Sequence, residues 1–372
     1  KVYYVTGTGG ESGETSGSEQ QQGQQRLQAH RSGTMPPKKK DGAKKSNAEP
    51  DPGEDPETFL AQYKKFCKMT AIPECEQITQ AFSDEENPYA GQFVIHPNEP
   101  MDPTEPRLGP GGTRALATAI MGTGPGMVTP FKSVKSLRIW WSNIGDDGCQ
   151  ALAELLRLGG AEIQINYLEL WDNNIGPRGA LALGRSLMVG NNRSLLTLKL
   201  DYNRDLGTEG VAALCKGLRT NSSLKQLHLP YCNLDSAVGQ PLSEMLSYTR
   251  LGLTMLNLKG NQIRGQGLLE LCPGLEKSKS LVDLDLSDND IGEQDIEALN
   301  AFAVALMMPS VALANISLLY NRIGEAGANA LLPALDPSNK RIQQFLVDET
   351  LPPPLFEALS RVSAGGKGGK KK

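Results

Sequence analysis

Short leucine-rich phrases recur through the middle of the chain at a nearly fixed distance. They are "LRIWWSNIG" (137–145), "LELWDNNIG" (168–176), "LKLDYNRDLG" (198–207), "LHLPYCNLD" (227–235), "LNLKGNQIR" (256–264), "LDLSDNDIG" (284–292) and "ISLLYNRIG" (316–324). Each reads L-x-L-x-x-N-x-I with small drift, and the third has one extra residue before Leu206. The second apolar position falls at Ile139, Leu170, Leu200, Leu229, Leu258, Leu286 and Leu318, in steps of 31, 30, 29, 29, 28 and 32 residues. A degraded copy, "FLVDETL" (345–351), places Val347 another 29 residues on. The L-x-L alternation predicts a short strand with one buried face.

The polar residue after each strand completes the pattern. A tight turn there leaves backbone groups unpaired, and a buried side-chain amide can satisfy them in every copy. The position reads Ser142, Asn173, Asn203, Cys232, Asn261, Asn289 and Asn321, with Ser142 the departure and a looser first rung. Each turn leads into a helical phrase such as "IGDDGCQALAELL" (144–156), "IGPRGALALGRSL" (175–187), "LGTEGVAALCKGL" (206–218) or "IGEAGANALLPAL" (323–335). Ala151, Leu152, Leu155 and Leu156 form a helical apolar stripe. Pro177 fits a helix start, where a missing N–H costs little, and Pro333 predicts a kink in the last full copy.

A strand-plus-helix unit of this size cannot bury its apolar face alone, so neighbouring copies must stack. The expected fold is α/β: a curved solenoid (horseshoe) with a concave parallel sheet and convex helices. The "IGxxGxxAL" phrase and the 28–29-residue spacing resemble the ribonuclease-inhibitor-type leucine-rich repeat family over residues 134–350, and cysteine is a known variant of that family's asparagine position.

The flanks predict caps. "FVIHP" (93–97) and "RLGPGGTRALATAI" (107–120) resemble one more copy, its strand and helix split by a Pro-rich insertion. Before it, "DPETFLAQYKKFCKM" (55–69) is an amphipathic helix with Phe59, Leu60, Tyr63, Phe66 and Cys67 on one side, and "PECEQITQAF" (73–82) predicts a second helix. "LPPPLFEALSRV" (351–362) closes the other end. The division is a low-complexity basic tail over 1–54, a helical N-terminal cap with a degenerate first repeat over 55–130, the repeats with a C-terminal cap over 131–362, and a Lys/Gly-rich tail over 363–372. "MPPKKKDGAKK" at Met35 reads like a beginning, which leaves residues 1–34 as either an extension or a genuine disordered tail.

Charge separates these parts. The formal net charge is −4, yet residues 51–364 carry 26 basic and 37 acidic residues, while "GGKGGKKK" ends the chain with four lysines. An acidic body with short basic ends does not suit nucleic acid, although the ends could reach an acidic polymer. No apolar run of 18 residues predicts a membrane span, and "KVYYVTGTGG" lacks the apolar stretch of a signal peptide. The six cysteines show no metal spacing and read as reduced thiols of a cytosolic protein. On that reading the Asn-x-Ser sequons at Asn192, Asn221 and Asn315 are chance matches.

Catalytic chemistry is hard to place. His30 lies in the tail, His96 beside Pro97, and His228 on a predicted strand. "GTGGESG" (7–13) and "GTGPGM" (122–127) share only glycine content with phosphate loops. Asp283, Asp285, Asp288 and Asp290 read as a solvated acidic patch. No catalytic residue, cofactor or metal is expected.

The aromatic pattern is sharper. The strand residue between the two leucine positions, and the two residues after the second, should face the concave side. All three tryptophans, Trp140, Trp141 and Trp171, fall there with Tyr202 and Tyr231, accompanied by Arg138, Glu169 and Lys199. Adjacent strands lie about 4.8 Å apart, which predicts Trp140 beside Trp171. Aromatics are enriched at binding hot spots, so these eight residues are the candidate partner-binding site. The alternative is that the chain's own insertion (97–130) covers them.

A solenoid without a catalytic set reads as a non-enzymatic interaction scaffold. The cap with "YKKFC", the Pro segment and "LGPGGTRALATAI" also look similar to cilia- and flagella-associated leucine-rich repeat proteins of the radial-spoke or dynein-regulatory-complex type. That resemblance implies axonemal protein partners, an axonemal location, and tubulin contact through the Lys-rich tails, with neither nucleic acid nor membrane involved. The alternative is a regulator of a small GTPase, since Ran GTPase-activating proteins share the repeat type but end in an acidic tail.

Overall fold

The computed structural model describes residues 53–82, 92–99, 101–124, 129–160 and 162–362. The tail expectations for 1–54 and 363–372 lie outside these residues except at Gly53 and Glu54. So do His30, the "GTGGESG" loop and the end of "GTGPGM".

Nine strands form one parallel sheet in sequence order. They are β1 (Gln92–Ile95), β2 (Ser136–Ile139), β3 (Tyr167–Glu169), β4 (Thr197–Lys199), β5 (Gln226–His228), β6 (Met255–Asn257), β7 (Asp283–Asp285), β8 (Asn315–Ser317) and β9 (Gln344–Leu346). The register aligns Phe93, Leu137, Leu168, Leu198, Leu227, Leu256, Leu284, Ile316 and Phe345 in one column. Every member is buried. A column of apolar side chains one strand spacing apart forms a continuous core that no single copy could assemble. Each strand therefore depends on its neighbours for its place.

Helices return the chain between strands. After the cap helices α1 (Pro56–Thr70) and α2 (Glu76–Gln80) come α3 (Gly109–Met121), α4 (Gly145–Leu158), α5 (Pro177–Ser186), α6 (Gly207–Leu218), α7 (Gly239–Leu246), α8 (Arg264–Lys277), α9 (Ile296–Met307), α10 (Gly324–Leu331) and α11 (Pro353–Leu359). Pro177 occupies the first helical position of α5, and α10 gives way to a 3-10 turn over Leu332–Leu335 at Pro333. The split first copy is complete: β1 pairs with β2, and α3 packs against α4.

The asparagine ladder lies behind the sheet. Asn203 Nδ2 donates to Leu170 O and Leu200 O, both at 2.8 Å, while its Oδ1 accepts Asn173 N at 3.0 Å and Ile175 N at 3.1 Å. Asn321 repeats this set with Leu286 O, Leu318 O, Asn289 N and Ile291 N. Each amide thus joins two copies through four bonds, and loss of one would leave several buried backbone groups unsatisfied. Cys232 substitutes with a thiol donating to Leu200 O at 3.1 Å, and Ser142 reaches only within its own turn, to Trp140 O at 2.9 Å.

A second ladder accounts for two of the three sequon asparagines. Asn192 and Asn221 are buried. Asn192 Nδ2 donates to Leu156 O at 3.0 Å, and Asn221 Nδ2 to Leu187 O at 2.8 Å. Each Oδ1 accepts two backbone N–H groups from the residues just after it. These amides tie the turn entering each strand to the preceding copy. They are structural parts of the repeat.

Both ends of the core are covered. At the N-terminal end Phe59 of α1 stacks on Phe131 at 4.7 Å and meets Phe93 at 5.5 Å, and Tyr63 Oη accepts Cys75 N at 3.0 Å. At the C-terminal end Arg361 forms an antiparallel bridge with Phe345. Its guanidinium donates to the carbonyls of Leu335, Asp336, Asn339 and Ile342. One side chain thereby closes the last turn and the edge of β9.

Candidate functional site

The outward column of the sheet runs Val94, Arg138, Glu169, Lys199, His228, Asn257, Asp285, Ser317 and Leu346. Arg138, Glu169 and Lys199 stand side by side, as their spacing predicts. Glu169 is buried and accepts the Tyr167 hydroxyl at 2.7 Å, with Arg138 Nε 3.9 Å from its Oε2. Arg138 also lies over the Tyr167 ring at 4.9 Å, and Lys199 Nζ approaches the same ring at 5.6 Å. Tyr167, which the sequence reading did not single out, thus organises all three charged candidates. Burial and the neighbouring Glu169 carboxylate raise its phenol above the usual range.

The aromatic candidates form a row. Trp141 meets Trp171 edge-on with centroids 4.0 Å apart, Trp171 meets Tyr202 at 5.3 Å, and Tyr202 stacks on Tyr231 at 4.6 Å. The row ends at Gly260, where a side-chain carbon would lie 2.1 Å from the Tyr231 ring. The row thus joins four candidates from four copies, and the five aromatics fall into two classes. Trp140 and Trp171 are 6% and 2% exposed, so they are walls rather than free surface. Trp140 stacks on His96 at 5.9 Å. Trp141, Tyr202 and Tyr231 are half-buried and form the accessible part.

Backbone conformation explains the difference. Trp141, Asp172, Tyr202, Tyr231, Asp288 and Tyr320 have φ between +48° and +63°, and Gly260 has +71°. All occupy the same place in the repeat, the residue before the asparagine position. The left-handed turn swings the side chains of Trp141, Tyr202 and Tyr231 toward a ring of the adjacent copy. Trp140 and Trp171 precede that turn and project from the strand end instead.

The insertion reaches one end of the row. Arg107 Nη1 donates to Trp141 O at 2.8 Å, and Gly109 N to Ser142 O at 2.8 Å. Beside it lies an open cavity of about 560 Å³, lined among others by Cys75, Gln77, His96, Glu105, Arg107 and Ser142.

Two ionisable groups further along the sheet are strongly perturbed. Asp201 Oδ1 is buried without a hydrogen-bond donor, and burial pushes its carboxyl up to about 7 against the pull of Lys199. His228 Nε2 is also buried without a partner, and burial, aided by Lys199, brings the imidazole down to about 4. His228 is thus a neutral, half-buried side chain on the outward column. Among the described residues, no group of three His, Cys, Asp or Glu side chains could hold a metal ion. No helix among them is long and apolar enough to cross a membrane. Their six cysteines are free, and all but Cys75 are buried.

Five segments, 132–153, 165–184, 191–215, 253–272 and 277–299, match the family model described as Leucine Rich repeat. The fold is a leucine-rich repeat solenoid. Among the curated proteins, none matches this chain. Similar solved structures include the tropomodulin C-terminal domain of Caenorhabditis elegans, at 13% identity and TM-score 0.35, covering 44% of this chain and 94% of that one. Leiomodin-1 Actin-Binding Site 2 is 17% identical with TM-score 0.32, covering 44% and 92%. The Rad7 and Elc1 complex of yeast is 14% identical with TM-score 0.29, covering 65% and 69%.

Proposed function

We propose that this leucine-rich repeat chain is a non-enzymatic scaffold that receives a partner protein on its concave sheet. The aromatic row from Trp141 to Tyr231 carries the reading, because four rings from successive copies touch one another and remain half accessible at three of them. Rigid aromatic surface presented by a packed frame is the usual material of an interface hot spot. The test is site-specific photo-crosslinking in the full chain. A crosslinker in place of Tyr231 or Tyr320 should capture the partner, and one in place of Tyr248, exposed beyond the end of α7, should not. Equal capture from all three positions, or capture from Tyr248 alone, would overturn the concave assignment.

The finer proposal is an axonemal component, held among protein subunits of a radial spoke or dynein regulatory complex. It rests on the resemblance of the cap and insertion and on the Lys-rich ends, "PPKKKDGAKK" and "GGKGGKKK". Exposed lysines are attracted to acidic tubulin surfaces by a force that salt screens. The chain should then stay with detergent-stripped axonemes and leave in high salt. Complete release with the soluble matrix would remove this proposal.

A further inference from the structure

The outward face of the sheet carries both signs of charge, but the two are not used alike. Its cations are taken up by the chain itself. Arg138 and Lys199 lie on Tyr167, with Arg138 also beside Glu169, and Lys259 Nζ lies 5.6 Å from the Tyr320 ring. Of its acids, Glu169 is likewise taken up, by Arg138 and the Tyr167 hydroxyl, but Asp201, Asp283 and Asp285 are met differently. Asp201 feels the charge of Lys199, but its Oδ1 has no hydrogen-bond donor. Asp283 Oδ1 accepts Asn315 Nδ2 at 2.5 Å, and Asp285 Oδ1 accepts the backbone N–H and hydroxyl of Ser287, all neutral donors. A groove of about 280 Å³ joins Asp283 and Asp285 to His228, Met255, Ile316 and Leu346. Its apolar walls suit the methylene stem of a long cationic side chain.

We infer that the concave face takes a partner segment bearing at least two Lys or Arg side chains, one received at Asp201 and another in the groove at Asp283 and Asp285. This rests on the concave-scaffold reading and adds the partner's chemistry. Asp201 follows β4 and the groove lies at β7, three strand spacings away, so the two cations must stand about 14 Å apart. In an extended peptide that is about four residues.

A pH dependence follows. Asp201 faces Lys199 at the end of β4, Tyr167 and Glu169 on β3, and Cys232 in the turn after β5. Burial pushes its carboxyl up to about 7, so it is half neutral there and mostly anionic by pH 8. His228, brought down to about 4, stays neutral across that range. Cation affinity should therefore rise between pH 6 and pH 8, with a proton released from Asp201 on binding.

The test uses the full chain and a fluorescent Gly/Ser peptide with two lysines four residues apart, followed by anisotropy at low salt. The lysine peptide should bind, and its glutamine and glutamate counterparts should bind at least fivefold more weakly. Asp201→Asn should weaken lysine-peptide binding about three- to fivefold and flatten its pH dependence, while Asp283→Asn with Asp285→Asn should weaken it comparably. Equal binding of lysine and glutamine peptides, no binding of the lysine peptide, or indifference to both acid variants would overturn the inference. If Tyr231 and Tyr320 still capture a partner in that case, the scaffold reading stands and only the cationic partner falls. Thermal unfolding of the near-isosteric Asn variants checks that the frame is intact.

Discussion

Trp171 and Ser287 occupy the same place in two copies of the repeat, the first residue after the second leucine position. Both are almost fully buried, at 2% and 3% exposure, yet by opposite means. Trp171 is covered by the rings of Trp141 and Tyr202. Ser287 is covered in a polar knot, donating to Asp285 Oδ1 at 2.6 Å and sharing a hydrogen bond with Ser317 Oγ at 2.7 Å. Behind them the frame is the same, for Asn203 and Asn321 make matching sets of four bonds. The two halves of the sheet therefore share a backbone and differ in the chemistry laid over it. Surface residues can diverge because leucine and asparagine columns hold the copies in register without them.

The largest expected effect tests that separation. Trp171→Ala should cost about 3–5 kcal/mol, the usual range for removing a buried tryptophan from a packed site. Ser287→Ala should cost only about 1 kcal/mol, the net worth of an ordinary hydrogen bond. Urea unfolding of both variants checks the pair. Similar losses would mean that the two halves are not held in the different ways described.

Much of the frame is legible in the sequence because its causes are local and repeated. Leu-x-Leu marks the strands, the amide position marks the turns, and Pro177 marks a helix start. The outward direction of Arg138, Glu169 and Lys199 follows from strand alternation alone. The depth of Trp140 is not local, for its ring stacks on His96, just past β1 and 44 residues earlier. The left-handed turn at Trp141, Tyr202 and Tyr231 contradicts ordinary residue preference, although Asp172, Gly260 and Asp288 at the same place carried a hint of it. A missed signal explains the second ladder: "NRSL" (192–195) and "NSSL" (221–224) lie 29 residues apart, the repeat distance itself. Arg361 is a single residue in "SRV", and nothing nearby in sequence announces the four carbonyls it gathers.

The intermediate effect concerns Asp201 and His228, which flank the boundary between the two halves. The carboxyl of Asp201, raised to about 7, holds its proton in the fold, so its contribution is full below about 4 and is lost as pH rises through 7. The imidazole of His228, lowered to about 4, is kept neutral by the fold, so its contribution is full above about 6.5 and is lost as pH falls through 4. Between pH 4 and 6.5 the two slopes oppose and largely cancel. Asp201→Asn should uncover the histidine slope, making stability fall on acidification by at most about 1.4 kcal/mol per pH unit. His228→Asn should uncover the opposite slope. Denaturant midpoints at pH 4.5, 5.5 and 6.5 distinguish them, and parallel curves for both variants would show that neither group titrates as its burial implies.

The smallest effect asks whether the contrast is confined to the concave side. Arg178 and Asp147 pair at 3.2 Å on the convex side of the early copies, and Arg264 and Asp290 pair at 3.2 Å in the later ones. All four side chains are more than half exposed, so water screens each pair and ordering long side chains offsets its attraction. Arg178→Ala and Arg264→Ala should each change stability by less than about 0.5 kcal/mol, with the small remainder vanishing in high salt. Thermal unfolding at two salt concentrations measures both. A large loss at only one of them would extend the difference between the halves to the helices. Equal, near-zero values would leave it where the aromatic row and the acid groove place it, on the concave side of the sheet.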